Sequence, residues 1–415
     1  MPVLQLLAAL CLCLCYSAAA ADSALTWPAE QRKFACAGTY ARVKLLADNR
    51  LALVYSRGAD VCIRFSEGTT AVWGTEAVVA RTAGYGNTNA ELVELANGWL
   101  IYAWNGRPTG GGAYFIASKR SRDGGNTWGE ESRVYTAGTE SGTGCWEPAF
   151  LLLPSGELQV YFANESPYPV GGDQEIGMLH SQDSGLTWKQ YTKVSHRAGA
   201  RDGMPVPLRL KDGTVAVAIE DNGLDGDFKP AILHAEADAG WTGGPVAGED
   251  DRRFAAFAPS AKPPTKVYAG APYLARLPSG MTLLSVQSNE GRTATTARTD
   301  ESVMQVYLGG ADAQGFATRS TPFPDIPAGG SGLWNSLTVL DDSTVMAVSS
   351  LRGMGKDGIW TAIGKVRSGP IGIRFQGIRN GTVSDMLRKR SREAFDARGR
   401  RAPFPAPGPV FFSLP

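Results

Sequence analysis

Histidine is the scarcest residue of this 415-residue sequence, with three copies, and the net charge is only +1. His180, His196 and His234 stand apart from one another and from any cysteine at ligand spacing. Neither a metal centre nor a Ser-His-Asp base is available, and no metal or cofactor is expected. A charge this close to zero supplies no basic stripe for nucleic acid or an anionic membrane. The glycine-rich stretch RPTGGGAY (Arg107 to Tyr114) has no helical pattern after it, so it is not a phosphate cradle. Helical periodicity is missing as well, which removes the helical solenoids.

Long apolar runs are confined to the N-terminus, MPVLQLLAALCLCLCYSAAAADS. That run is shorter than the roughly 20 residues of a membrane span and ends in small residues, with Ala18 and Ala20 fitting a cleavage site. Residues 1–21 are expected to be a signal peptide, making the protein secreted, without a membrane anchor once cleaved. Cys11, Cys13 and Cys15 would leave with it. Cys36, Cys62 and Cys145 would remain, enough for one disulfide, for which Cys36 with Cys62 is the expected pair. Sequons at Asn164 and Asn380 are compatible with secretion. Residues 379–415, basic and then proline-rich, are expected to form a disordered extension.

What the sequence has in quantity is glycine, 50 residues, and it is organised. SRDGGNTW (Ser121 to Trp128) recurs as SQDSGLTW (Ser181 to Trp188), with weaker copies at Ser66 to Trp73 and His234 to Trp241. Each strong copy reads as a turn in which Ser and Asp accept backbone hydrogen bonds, Gly takes positive φ and Trp packs beneath. A second repeat, an apolar run, a tight turn and an alternating apolar run, has its turns at Asn49, Gly98, Gly156, Gly213, Gly280 and Ser343. Six hairpins at this period predict an all-β, six-bladed β-propeller over residues 35–375, closed by N- and C-terminal strands sharing one blade, and a monomer.

Aligning the blades on these turns aligns the mouth of the ring. Nine residues before the turn stand Tyr40, Asn89, Glu147, Met204, Ala271 and Trp334; seven before it, Arg42, Glu91, Ala149, Val206, Tyr273 and Ser336. Seven after it stand Ser56, Asn105, Ala163, Glu220, Gln287 and Ser350. Glu147 lies in GCWEPAF, and Glu220 ends the apolar run TVAVAIE, where an ionised group is costly without a task or a partner. Two carboxyls from adjacent blades are what glycoside hydrolysis needs, although an ion pair with Arg42 or Arg201 would also account for either one. Trp104, Trp146 and Trp334 could stack on sugar rings or serve as blade packing.

The eight-residue turns resemble the Asp boxes of sialidases and their relatives. The Arg-Ile-Pro sequence typical of sialidases is missing around Arg42, and LWNSL stands where they usually place their tyrosine. CWEP with Glu147, VAIEDN with Glu220, PYLARLPSGMTLLSVQ with Tyr273, and LWNSL with Trp334 and Asn335 are more similar to glycoside hydrolase family 93, secreted exo-arabinanases of the sialidase superfamily. That resemblance implies a retaining exo-glycosidase acting on an extracellular polysaccharide, foremost α-1,5-L-arabinan. Glu147 would be the nucleophile, Glu220 the acid/base, and Tyr273 would steady the nucleophile. Arg42, Glu91, Asn89, Asn105, Trp146, Arg201, Gln287, Trp334 and Asn335 would contact the substrate. In the free enzyme Glu147 should be ionised and Glu220 should hold a proton. A sialidase and a non-catalytic glycan-binding propeller are the alternatives.

Overall fold

The computed structural model describes residues 24–292 and 299–367. The expected signal peptide, the sequon at Asn380 and the tail at 379–415 lie outside the described residues. Five blades are four-stranded antiparallel sheets built in chain order from the axis outward. The first is Thr39–Leu45, Leu51–Arg57, Asp60–Phe65 and Ala77–Arg81. The second is Tyr85–Glu94, Leu100–Pro108, Phe115–Ser121 and Ser132–Thr136. The third is Cys145–Leu152, Leu158–Asn164, Glu175–Ser181 and Lys189–His196. The fourth is Asp202–Arg209, Val215–Asp221, Lys229–Ala235 and Arg253–Ala255. The fifth is Ala269–Arg276, Thr282–Ser288, Val303–Gly309 and Thr318–Ser320. The sixth is Ser331–Val339, Thr344–Arg352 and Gly358–Arg367, completed by the N-terminal strands Ala24–Thr26 and Arg32–Cys36, which both pair with Gly358–Arg367. This is the shared closing blade expected from the sequence, and it takes in Ala24 to Phe34, upstream of 35.

Alternating apolar residues fill the spaces between blades. Trp104 and Tyr102 lie between blades one and two, Val217 and Trp241 between three and four, Leu284 and Phe316 between four and five. Trp104 is fully buried there, so it is blade packing and unavailable to a sugar. The outer hairpins are stapled as their sequence predicts. Asp123 accepts the Thr127 amide at 2.9 Å and its hydroxyl at 2.6 Å, while Ser121 Oγ accepts the Gly125 amide at 2.8 Å. Asp183 repeats this with Thr187, and both carboxyls are held down at about 2; for Asp123 the hydrogen bonds from Thr127 lead.

The expected disulfide is corrected. Cys36, Cys62 and Cys145 are all free and buried. Cys36 belongs to the closing blade through its pairing with Gly358–Arg367, whereas Cys62 is in the third strand of blade one, opposite Tyr55. The Asn164 sequon is closed to modification in the folded protein: Asn164 is fully buried and its Nδ2 donates to the hydroxyls of Tyr135 at 3.0 Å and Tyr191 at 2.9 Å.

Candidate active site at the mouth of the ring

The innermost strand of every blade breaks register at the same place, between Thr39 and Arg42, Thr88 and Glu91, Trp146 and Ala149, Gly203 and Val206, Gly270 and Tyr273, and Leu333 and Ser336. At each break one non-glycine residue takes positive φ: Tyr40 (51°), Asn89 (54°), Glu147 (50°), Met204 (49°), Ala271 (47°) and Trp334 (56°). A left-handed residue with a Cβ costs about 1–2 kcal/mol. Six at equivalent positions are an architectural device, a bulge that re-aims one side chain per blade into the mouth. Tyr40, Met204, Ala271 and Trp334 cluster as its apolar part, Tyr40 and Trp334 with ring centroids 5.7 Å apart.

Glu147 and Glu220 share this mouth. Burial drives Glu147 from 4.5 up to about 8; Arg107 opposes the rise, Glu220 and Glu165 add to it, and Arg201 opposes it more weakly. Among the described residues Glu147 has no hydrogen-bond partner. Glu220 is also raised by burial, but it accepts the Ala271 amide at 2.8 Å and the Tyr268 hydroxyl at 3.5 Å, and Arg201 favours its charge. Both carboxyls of the pair are raised, in contrast to the ionised Glu147 expected from the sequence. Glu147 is the more strongly raised because its carboxyl lacks the two donors that Glu220 enjoys. Two glycines face the Glu220 carboxyl closely. A Cβ on Gly203 would meet Glu220 Oε1 at 3.1 Å, and one on Gly270 would meet Glu220 Oε2 at 2.4 Å.

Around the pair, buried amides are engaged by protein and shape the mouth. Asn105 Nδ2 donates to the carbonyls of Phe115 at 3.1 Å and Cys145 at 2.6 Å. Asn89 Oδ1 and Asn105 Oδ1 accept from Arg107 at 2.8 and 2.9 Å. Gln287 links the Tyr268 hydroxyl, 3.0 Å, to the Trp334 amide, 2.8 Å. Asn335 donates to the Ala271 carbonyl at 3.1 Å and accepts from Ser285. Trp146 lies under the Arg107 guanidinium at 4.7 Å and against Tyr114. Arg201 bonds Glu165 and the Gly172 carbonyl, so it is tethered at the rim.

Three of the residues expected at the site have their polar groups engaged by protein. Arg42 is almost fully buried beneath Tyr40, 4.3 Å from its ring, and donates to the carbonyls of Ala41 at 3.0 Å and Asn335 at 3.1 Å. Glu91, also buried, pairs with Lys44 at 2.6 Å and lies 4.0 Å from Arg42. The Tyr273 hydroxyl accepts from Lys44 at 3.0 Å. These residues sit seven before the turn, so they face the same tunnel as Glu147 but one pleat deeper, where they plug the axis. Arg42 and Glu91 line a small cavity together with Glu147. Conversely Arg107, Glu165 and Tyr268 belong to the site and were not singled out. Arg107 and Glu165 sit nine after their turns, one pleat beyond the row with Asn105 and Glu220, and that offset would have found them.

Residues 98–261 match the BNR repeat-like domain family. A sialidase from Micromonospora viridifaciens is 34% identical over 133 residues, 28% of this chain, and the chain spans about a fifth (20%) of that sialidase's length. Among solved structures, the glycoside hydrolase family 93 α-L-arabinofuranosidase of Fusarium graminearum in complex with arabinobiose is 17% identical, with a TM-score of 0.61 over 83% of this chain and 96% of that one. The Penicillium chrysogenum α-L-arabinanase complexed with arabinobiose is 18% identical, with a TM-score of 0.59 over 81% of this chain and 94% of that one. At these identities the likeness is one of fold. The chain therefore carries a stretch, residues 98–261, that matches the BNR repeat-like domain family, on a six-bladed propeller fold similar to that of these family 93 structures.

Proposed function

We propose that the protein is a secreted, retaining exo-glycosidase that acts on a neutral furanose glycan, foremost α-1,5-L-arabinan, with Glu147 and Glu220 as its catalytic pair. The observation that carries this reading is the pair itself: two carboxyls at one mouth, both raised by burial, with Glu220 adding to the rise of Glu147. Such a pair holds one proton between its members near neutrality, which is the state a retaining mechanism starts from. An anomeric carbon presented to Glu147 and a glycosidic oxygen presented to Glu220 draw that proton to Glu220. Glu147 then attacks, Glu220 protonates the leaving oxygen, and Glu220 next takes a proton from the water that releases the sugar.

Charge balance favours a neutral sugar over a sialic acid. Glu147, Glu165 and Glu220 with one proton carry two negative charges, matched by Arg107 and Arg201. Arg42, the residue that a sialidase reading needs for the substrate carboxylate, is withdrawn beneath Tyr40. A non-catalytic binder would have no use for two raised carboxyls at one mouth. The deciding experiment is hydrolysis of linear α-1,5-arabinan, an aryl α-L-arabinofuranoside and an aryl sialoside by protein recovered from the culture medium. Release of arabinose or arabinobiose alone supports the reading; sialoside turnover, or no turnover at all, refutes it.

A further inference from the structure

Arg107 is held unusually firmly for a half-buried cation with no anionic partner. Its Nε donates to Asn105 Oδ1 at 2.9 Å, its Nη2 to Asn89 Oδ1 at 2.8 Å, and its guanidinium lies over the Trp146 ring at 4.7 Å. All three partners are neutral, and among the described residues Arg107 forms no ion pair. An arginine placed for stability alone would gain more from a carboxylate. The anchors are themselves fixed: Asn105 Nδ2 bonds the Cys145 carbonyl at 2.6 Å, two residues before Glu147, and Asn89 is the bulge residue of the innermost strand of the same blade as Arg107.

We infer that Arg107 is a positioning residue for the catalytic pair, a fixed and uncompensated positive charge whose field makes the Glu147 carboxylate available. The inference rests on the reading of Glu147 and Glu220 as that pair. The charged and titratable groups facing Glu147 are Glu220 from blade four, Glu165 and Arg201 from the rim, Cys145 on its own strand, Tyr40 from blade one and Arg107 from blade two. Glu165 is occupied by Arg201, so Arg201 is partly neutralised where Arg107 is not. Arg107 opposes the rise of Glu147 more strongly than Arg201 does. A guanidinium held by neutral acceptors keeps its whole field for Glu147, and two amides with an indole face prevent it from swinging away.

The test is a direct titration of Glu147 by NMR in protein labelled with ¹³C at the glutamate carboxyl, the resonance being assigned by its loss in Glu147→Gln. This readout needs no substrate, so it stands if the glycosidase reading fails. Arg107→Gln should move the titration up by about one pH unit, equivalent to a tenfold change in the ionised fraction below the midpoint. Asn89→Leu, which removes one anchor and keeps the charge, should move it the same way by less, and it serves if Arg107→Gln does not fold. On an aryl glycoside, the acid limb of kcat/KM should shift with the titration, with the variants approaching wild type at alkaline pH. An unchanged titration in both variants overturns the inference. So does a loss of kcat/KM that is uniform across pH and lies wholly in KM, because Arg107 would then be touching substrate.

Discussion

Replacing Glu147 by glutamine should make the protein more stable, and by an amount that depends on pH. Below about 4.5 the glutamate carries its proton in both the folded and unfolded chain, so glutamine gains nothing. Between 4.5 and about 8 the folded chain keeps a proton that the unfolded chain has lost, and wild-type stability falls as pH rises. Above 8 the folded protein bears the whole cost of an ionised, buried carboxylate. At about 1.4 kcal/mol per pH unit that span sets a ceiling of about 5 kcal/mol. Water at the mouth and the proton shared with Glu220 reduce this to about 1–2 kcal/mol, or roughly 1–3 °C in Tm. Thermal melts of both proteins from pH 4.5 to 9, followed by circular dichroism, read it directly. The gain should be absent at pH 4.5, grow through neutrality and level off above pH 8. A destabilised variant at pH 8 would show that Glu147 sits in a satisfied ion pair, and a gain independent of pH would show that its charge is not the cause.

Arg253 bridges Asp202 at 2.6 and 2.8 Å and Asp221 at 2.7 Å, all three buried directly behind Glu220. Arg253→Met should cost about 3–5 kcal/mol by urea unfolding at pH 7, because it leaves buried Asp202 without a cation and Asp221 with Arg197 alone, at 3.0 Å; a loss under 1 kcal/mol would contradict this. Asp183, held at about 2 by its Thr187 and Ser181 hydrogen bonds, contributes a small stability that is present above about pH 4 and lost as pH falls toward 2. Asp183→Ala should therefore lower Tm slightly at pH 7 and not at pH 2, as melts at the two values would show. Thiol titration should find Cys36, Cys62 and Cys145 unreactive in the native protein and all three reactive after denaturation under non-reducing conditions; one reactive thiol would mean that a disulfide had formed.

The ring was legible because its turns are written in residue types that backbone geometry demands. Gly98, Gly156, Gly213, Gly280 and Asn49 all take positive φ at the hairpin tips, and counting back from these five tips and from Ser343 reaches all six bulge residues. Counting gives a residue's face and its order along the strand, and nothing about what lies above it. Arg42 and Tyr273 share the tunnel with Glu147, yet the Tyr40 ring closes over Arg42, and the deeper layer becomes a plug. That closure depends on side chains from opposite blades meeting across the axis, which no single strand encodes. The rise of Glu147 was hidden for a related reason. The donors that favour charge on Glu220 are the Ala271 amide, freed by a bulge in the next blade, and the Tyr268 hydroxyl, which lies outside the repeat. Gly203 and Gly270 were a readable signal, since they fill a position that the other blades give to Thr39, Thr88, Trp146 and Leu333.

The central claim is that Glu147 and Glu220 act in sequence through a covalent intermediate, and one measurement tests it most directly. Glu220→Ala is supplied with an aryl α-L-arabinofuranoside and sodium azide, and the anomeric configuration of the first product is read by ¹H NMR. Glu147 can still displace a good leaving group, and azide needs no general base, so the account predicts azide-dependent turnover that yields a glycosyl azide of retained configuration. A glycosyl azide of inverted configuration, or azide rescue confined to Glu147→Ala, would contradict it.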